Sequence, residues 1–138
     1  MKELSISVKK LNNMILDREK FYLIDVREKD EYNIAKITGS VLIPILDIRE
    51  KLIRFKLTDV IVLYCHTGNR SLEVAIHLAW LGFINVVDLD GGIDTWSNQI
   101  DSKIPRYTRN PKKTKKLLEL FRAQKMTPTE LQLRKKYY

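Results

Sequence analysis

The single cysteine of the 138-residue chain, Cys65, lies where two different sequence patterns meet. The apolar, β-branched run 60–64 before it predicts a buried strand. After it come the polar or glycine residues 66–70, and then apolar side chains at helical spacing through Leu81. We therefore predict a loop that joins the end of a strand to a helix, with Ser71 as the N-cap residue of that helix.

A cysteine in such a loop is well placed for nucleophilic chemistry. Open α/β sheets bind ligands at the carboxyl ends of their strands, and the start of a helix favours anions, so a thiol there is expected to react as the thiolate. Arg70 adds a fixed positive charge, and Gly68 allows a positive φ that turns backbone N–H groups inward around an anion. The alternative is that Cys65 is a small buried apolar residue, as many single cysteines are.

Composition limits the classes to which the protein can belong. A chain of 138 residues with 44% hydrophobic side chains fits one domain with a sizeable core. One cysteine allows neither an internal disulfide nor a CxxC metal site, so we expect a reducing compartment, no metal and no cofactor. No apolar run is long enough to cross a membrane, and the N-terminus lacks the apolar core of a signal peptide. We expect a cytoplasmic protein without a membrane partner, or a stromal one if the gene is plastid-encoded.

The positive charge of the chain is concentrated at its C-terminal end. The net charge is +8, yet residues 1–105 contain 14 Lys and Arg against 15 Asp and Glu, whereas residues 106–138 contain 11 against 2. We therefore divide the chain into an α/β domain, residues 1–105, and a basic C-terminal extension, residues 106–138.

Strand and helix patterns alternate at short spacing within residues 1–105. Apolar runs at 21–26, 60–64 and 85–89 predict buried strands, and apolar residues recur at helical spacing between them. This alternation predicts an α/β fold with a mostly parallel central sheet of about five strands and helices on both faces.

Two helix starts are visible in the extension. Asn110 followed by Pro111 suits an N-cap and a first helical position, and Thr127 with Glu130 forms a capping-box pattern. Two basic helices are therefore predicted. Three roles stay open for them: a solvated tail, an apolar face docked on the domain or on an acidic protein partner, and contact with RNA. We expect removal of residues 108–138 to leave Cys65 reactivity largely intact and to change partner binding.

Several short pieces occur in a fixed order along the domain. They are Asp25-Val-Arg27-Glu28, Glu31-Tyr32, Ile37-Thr-Gly39-Ser40, Ile43-Pro44, Tyr64-Cys65-x-x-Gly68-x-Arg70-Ser71, Gly82-Phe83 and Gly91-Gly92-Ile93 with Trp96. In these pieces the chain resembles the single-domain rhodanese-like sulfurtransferases, over roughly residues 3–105. The stretch from Asp90 to Pro105 is also similar to the rhodanese domain that closes sulfur-carrier adenylyltransferases. Residues 108–138 lie outside the family pattern.

The resemblance implies transfer of sulfane sulfur through a persulfide on the catalytic residue Cys65. The loop residues would bind a small anionic donor such as thiosulfate; they are His66, Thr67, Gly68, Asn69 and Arg70. Asp25, Arg27 and Ser71 would support the site. The acceptor would be a thiol, a sulfur-carrier protein or cyanide.

Some of these charged residues allow two interpretations. Arg70 can attract the donor or brace the loop through an ion pair with an acidic residue, and both roles can coexist. Asp25, Arg27 and Glu31 can be read as acid–base groups. Because sulfur transfer between thiolates needs little proton movement, we interpret them instead as an ion-pair cluster that holds the strand end.

Two other functional classes compete with a sulfurtransferase. Phosphatases and arsenate reductases of related fold use a Cys-x5-Arg loop that accommodates a tetrahedral oxyanion, whereas Cys65 to Arg70 is Cys-x4-Arg. A non-catalytic docking module with the basic tail as its working part is the other alternative. The presence of Cys65, Gly68 and Arg70 argues against a docking module.

Overall fold

The computed structural model describes residues 3–137, in which short strands alternate with helices. The strands are β1 (Ser5–Ile6), β2 (Tyr22–Asp25), β3 (Val41–Leu42), β4 (Ile61–Tyr64) and β5 (Val86–Leu89). The helices are α1 (Val8–Leu16), α2 (Lys29–Ile34), α3 (Asn69–Leu81), α4 (Gly92–Gln99), α5 (Pro111–Ala123) and α6 (Pro128–Tyr137), with a 3-10 helix at Ile48–Arg54.

The five strands form one parallel sheet in the order β1-β5-β4-β2-β3. Asp25 of β2 lies beside Tyr64 of β4, and Leu63 of β4 lies beside Asp88 of β5. The carboxyl ends of these three strands therefore meet at one edge of the sheet, directly before Cys65. The predicted α/β class is confirmed.

The central strand β4 is buried on both faces of the sheet, which explains its unbroken apolar sequence. Ile61, Leu63 and Cys65 belong to the apolar cluster under α3 and α5. Val62 and Tyr64 belong to the cluster on the opposite face, under α1 and α4. This packing holds the backbone that ends at Cys65 between two cores.

Both helices of the extension pack on the domain. Leu117 and Phe121 of α5 are buried in the same apolar cluster as Cys65. Glu130 of α6 is fully buried and pairs with Arg49 of the 3-10 helix, with 2.8 Å between Nε and Oε2. Of the three roles left open for the extension, the contacts show docking on the domain. The division of the chain at residue 105 stays a prediction.

The helix caps follow the sequence signals with one exception. Asn110 caps α5 with Pro111 in its first turn, and Thr127 and Glu130 form a reciprocal capping box at the start of α6. The prediction that Ser71 caps α3 is wrong, because α3 begins at Asn69 and its N-cap is Gly68. The φ of +111° at Gly68 allows this earlier start, and it leaves the Ser71 hydroxyl free for another contact.

Candidate active site

The sulfur of Cys65 is surrounded by hydrogen-bond donors from its own loop. The backbone N–H of Gly68 donates to Sγ at 3.1 Å, and the N–H of Ser71 donates at 3.5 Å. The Ser71 hydroxyl lies 3.3 Å from the same atom. Three hydrogen-bond donors of the loop therefore converge on this sulfur atom.

The start of α4 fixes the backbone on the other side of the loop. The N–H of Ile93 donates to the carbonyl of Cys65 at 2.9 Å, and the N–H of Asp94 donates to the carbonyl of His66 at 3.0 Å. Gly92 makes this approach possible, because a Cβ on it would lie 2.5 Å from both carbonyl oxygens. With these carbonyls bound to α4, the loop N–H groups that follow are directed toward the sulfur.

A buried carboxyl lies one hydrogen bond beyond the sulfur. The Ser71 hydroxyl contacts both Cys65 Sγ and Asp88 Oδ1, and the hydroxyl of Ser5 donates to Asp88 Oδ2 at 3.3 Å. Burial of Asp88, which is 3% exposed, raises the pKa of its carboxyl to about 6, although the two serine hydroxyls oppose the shift. The Ser71 hydroxyl thus links this buried carboxyl to Cys65.

Arg70 is bound to Glu31 through two parallel hydrogen bonds. The distances are 2.6 Å from Nη1 to Oε1 and 2.8 Å from Nη2 to Oε2, and both side chains are 2% exposed. Burial alone would raise the pKa of Glu31, but Arg70, Tyr107 and Arg109 outweigh it and lower the pKa to about 2. Glu31 is thus ionised and braces the guanidinium beside the sulfur loop.

Arg27 and Asp25 form a second buried ion pair at the end of β2. Arg27 donates to both carboxylate oxygens, from Nε at 2.9 Å and from Nη2 at 2.6 Å. It also donates to the carbonyl of Ala35 at 2.6 Å and to the Tyr107 hydroxyl at 2.9 Å. Burial opposes the charge on Arg27, but Asp25 and Tyr107 outweigh it and raise the pKa of the guanidinium. This geometry is that of an ion-pair cluster, with no open position for an acid–base group.

The first residues of the extension complete the cluster. The Tyr107 hydroxyl accepts from Arg27 and donates to Glu31 Oε2 at 2.8 Å. The Tyr107 ring stacks on His66 at 4.2 Å between centroids, and its carbonyl lies 2.9 Å from His66 Nε2. Burial lowers the pKa of His66 against the opposing effect of this hydrogen bond, so burial disfavours the charged imidazole. Arg109 pairs with Glu31 at 3.0 Å.

A pocket of about 320 Å³ opens over Cys65. Its walls come from the loop and from the extension, namely Cys65, His66, Thr67, Asn69 and Arg70 on one side and Arg109, Pro111, Thr114, Lys115 and Leu118 on the other. Cys65 is only 1% exposed, yet it is one of the residues that line this pocket. The pocket is therefore the route by which a reagent would approach the cysteine.

A comparison with models of known protein families finds a match over most of the α/β domain. Residues 7–99 match the Rhodanese-like domain. The chain belongs to the rhodanese-like domain family. The matched range contains the strand β4, the loop after it and the Gly91-Gly92 turn that holds the loop carbonyls.

Individual rhodanese-like relatives agree with this assignment. The chain is 36% identical over 87 residues to an adenylyltransferase and sulfurtransferase uba4 of Ogataea parapolymorpha, covering 62% of this chain and 22% of that protein. It is 34% identical over 105 residues to a probable adenylyltransferase/sulfurtransferase MoeZ of Mycobacterium tuberculosis, covering 75% and 27%. The chain thus spans about a quarter of the length of these curated relatives.

A solved structure supports the same fold. The rhodanese-like domain protein of Staphylococcus aureus superposes with a TM-score of 0.64 at 28% identity, covering 78% of this chain and all of that one. Among residues 3–137, none of the helices is long and apolar enough to span a membrane.

The structure brings most of the predicted site residues of this rhodanese-like domain together. Thr67 and Asn69 are exposed and line the pocket, and Gly68 contributes its N–H. Whether the loop side chains bind a donor stays a prediction. Further residues contact the site or its supports and were not predicted to do so; among them are Asp88, Gly92, Tyr107, Arg109 and Lys115. The Gly91-Gly92 pair was the one local signal, and it indicated only a turn.

The acidic residues at the start of α2 do not offer a ready metal site. Glu28, Asp30 and Glu31 carry oxygen atoms within 4.8 Å of one another. Both oxygens of Glu31 already accept hydrogen bonds from Arg70 or Tyr107. We therefore propose no metal at this position.

Proposed function

We propose that this rhodanese-like domain is a sulfurtransferase that carries sulfane sulfur on Cys65. In the first displacement, the Cys65 thiolate attacks the outer sulfur of a donor such as thiosulfate. A bond forms between Sγ and that sulfur, the bond between the two donor sulfurs breaks, and sulfite leaves with the electron pair. The product is a persulfide anion on Cys65.

The second displacement returns the enzyme to its starting state. A cyanide ion or a thiolate attacks the outer sulfur of the persulfide, and the Cys65 thiolate leaves with the bonding electron pair. No net proton transfer is needed in either displacement when the reactants are anions. One nucleophile used in two successive steps predicts ping-pong kinetics.

The observation that carries the proposal is the set of donors around Sγ at the base of an open pocket. The N–H groups of Gly68 and Ser71 converge on the sulfur, and the pocket leaves room for a small anionic donor. A persulfide adds one sulfur atom on the pocket side, where the remaining polar loop residues Thr67 and Asn69 lie.

Thiosulfate:cyanide sulfurtransferase assays on the wild type and Cys65→Ser test this function. We expect thiocyanate formation by the wild type and background rates with Cys65→Ser, which keeps a hydroxyl in place of the thiol. Equal rates for the two proteins would contradict the proposal and favour a docking module. An aryl phosphate should not be hydrolysed, because the Cys-x4-Arg loop is one residue shorter than a phosphatase loop; appreciable turnover would favour that class instead.

The natural acceptor is proposed on chemical grounds alone. A thiol or a sulfur-carrier protein would have to present its nucleophile through the mouth of the pocket, because Cys65 is 1% exposed. Cyanide serves as the small reference acceptor in the assay.

A further inference from the structure

The outer wall of the Cys65 pocket is built from the C-terminal extension, which lies outside the matched residues 7–99. The residues of this wall are Arg109, Pro111, Thr114, Lys115 and Leu118. Helix α5 is fixed there by the burial of Phe121 and Leu117. The extension therefore determines part of the environment that a reagent meets before it reaches the sulfur.

Most of the cations near the pocket are already paired. Both terminal nitrogens of Arg70 are bound to Glu31. Arg109 is paired with Glu31 at 3.0 Å and with Glu28 at 3.3 Å, and its Nε donates to Thr114 at 3.1 Å. The Nε2 atom of His66 lies 2.9 Å from the carbonyl oxygen of Tyr107, and burial lowers the pKa of the imidazole. These groups shape the pocket, but each has lost much of its capacity to bind an incoming anion.

Lys115 is different from these cations. Its side chain lines the pocket and is exposed. Within residues 3–137, no ion pair or hydrogen bond involves its ammonium group. An unpaired ammonium on a flexible stem can follow an anion into the pocket without first breaking another contact.

We propose that Lys115 of the extension determines the preference of the Cys65 pocket for anionic reagents. Under the proposed sulfurtransferase function, on which this assignment rests, Lys115 would contact the sulfonate end of a donor such as thiosulfate. Its charge would offset the repulsion between an anionic donor and the Cys65 thiolate. The basic extension would then be a substrate-recognition element of this chain in addition to its packing role.

The neighbouring residue Lys116 provides a matched control. It lies one position further along α5 and lines a different groove, beside Glu28 and Lys113. Lys115→Gln and Lys116→Gln remove the same charge from the same helix, so the net charge of the chain is equal in the two variants. Only Lys115→Gln removes a cation from the Cys65 pocket.

The first experiment uses two alkylating agents and does not depend on sulfur transfer. Iodoacetate is an anion and iodoacetamide is neutral, and both alkylate cysteine, of which the chain has one. We expect Lys115→Gln to lower the ratio of their rates about 3- to 10-fold at low salt, and Lys115→Arg to retain it. Lys116→Gln should leave the ratio within about 1.5-fold of the wild-type value. Equal ratios for Lys115→Gln and Lys116→Gln would overturn the proposal.

The second experiment measures steady-state kinetics with thiosulfate. We expect Lys115→Gln to raise KM for thiosulfate by a similar factor with kcat nearly unchanged, because Lys115 binds the donor and leaves the sulfur chemistry to the loop. A change in kcat alone would contradict this assignment. If the wild type transfers no sulfur, the proposed function fails, while the alkylation ratio still decides whether Lys115 controls anion entry.

Discussion

Arg70 and Glu31 form a bidentate ion pair with distances of 2.6 and 2.8 Å, buried beneath the loop that carries Cys65. Removal of one partner from such a pair leaves an uncompensated charge in the interior. We expect Glu31→Gln to lower the free energy of unfolding by about 3 kcal/mol, measured by urea denaturation at pH 7. The matched control, Glu28→Gln, affects a half-exposed carboxylate and should cost less than about 1 kcal/mol.

The same pair predicts the response of the fold to acid. The pKa of Glu31 is lowered to about 2, so its contribution is present above its ordinary pKa and is lost as the pH falls toward 2. The difference in unfolding free energy between the wild type and Glu31→Gln should therefore shrink as the pH falls from 5 to 2. A difference that stayed constant across this range would show that Glu31 is not the ionised partner.

The contribution of Asp88 to the free energy of unfolding should depend on pH with the opposite sign to that of Glu31. Its pKa is raised to about 6, so its contribution is fully present below its ordinary pKa and is lost as the pH rises through 6. Asp88→Asn keeps an oxygen acceptor for Ser71 without the charge, and it should be more stable than the wild type by about 2 kcal/mol at pH 7.5. The gain should disappear near pH 4. The exposed neighbour Asp90 supplies the control, since Asp90→Asn should show no comparable gain.

Alanine variants at Gly92 and Gly39 distinguish the effect of backbone strain from the effect of a clash with the active-site loop. Both have positive φ, +59° and +87°, but a Cβ on Gly92 would lie 2.5 Å from the carbonyls of Cys65 and His66, whereas a Cβ on Gly39 meets nothing within 4 Å. We expect Gly92→Ala to slow sulfur transfer about 100-fold by displacing the loop. Gly39→Ala should lose stability without a comparable loss in the rate per folded molecule. Similar rates for the two variants would contradict the role given to α4.

A substitution at Phe121 tests whether helix α5 of the extension packs on the domain. Its ring is 3% exposed in the apolar cluster that also contains Cys65, whereas Leu120 on the same helix is 42% exposed. Phe121→Ala should lower the free energy of unfolding by about 3 kcal/mol, and Leu120→Ala by less than about 1 kcal/mol. Equal effects would mean that α5 does not pack as described.

The contacts of the extension change the expected effect of its removal, which was based on the charge of its sequence. Removal of residues 108–138 was expected to leave Cys65 reactivity largely intact. Because Arg109 and Lys115 line the Cys65 pocket and Phe121 is buried, removal should now change both the stability and the anion selectivity of the thiol.

The sequence was most informative where the signal is local. The apolar run before Cys65 and the polar loop after it predicted a strand, a loop and a helix, because both patterns reflect short-range geometry. The predicted N-cap of α3, Ser71, lies three residues after the observed N-cap, Gly68, because a glycine N-cap has no side-chain signature. Because α3 begins before Ser71, the Ser71 hydroxyl does not cap the helix and contacts the sulfur of Cys65 instead.

The contacts of the extension could not be predicted from local patterns. Tyr107 bonds to Arg27 and Glu31, which lie far earlier in the chain, and Arg49 bonds to Glu130 across a similar separation. Such pairings depend on how α5 and α6 return to the domain, and the sequence of the extension left docking on the domain as one of three open roles.

Intact-mass spectrometry of the protein after incubation with thiosulfate tests the central claim most directly. We predict that the wild type gains the mass of one sulfur atom, that cyanide removes it, and that Cys65→Ser gains nothing. A wild-type protein that stays unmodified while its Cys65 remains reactive toward iodoacetamide, or a gain of mass that persists in Cys65→Ser, would contradict the account.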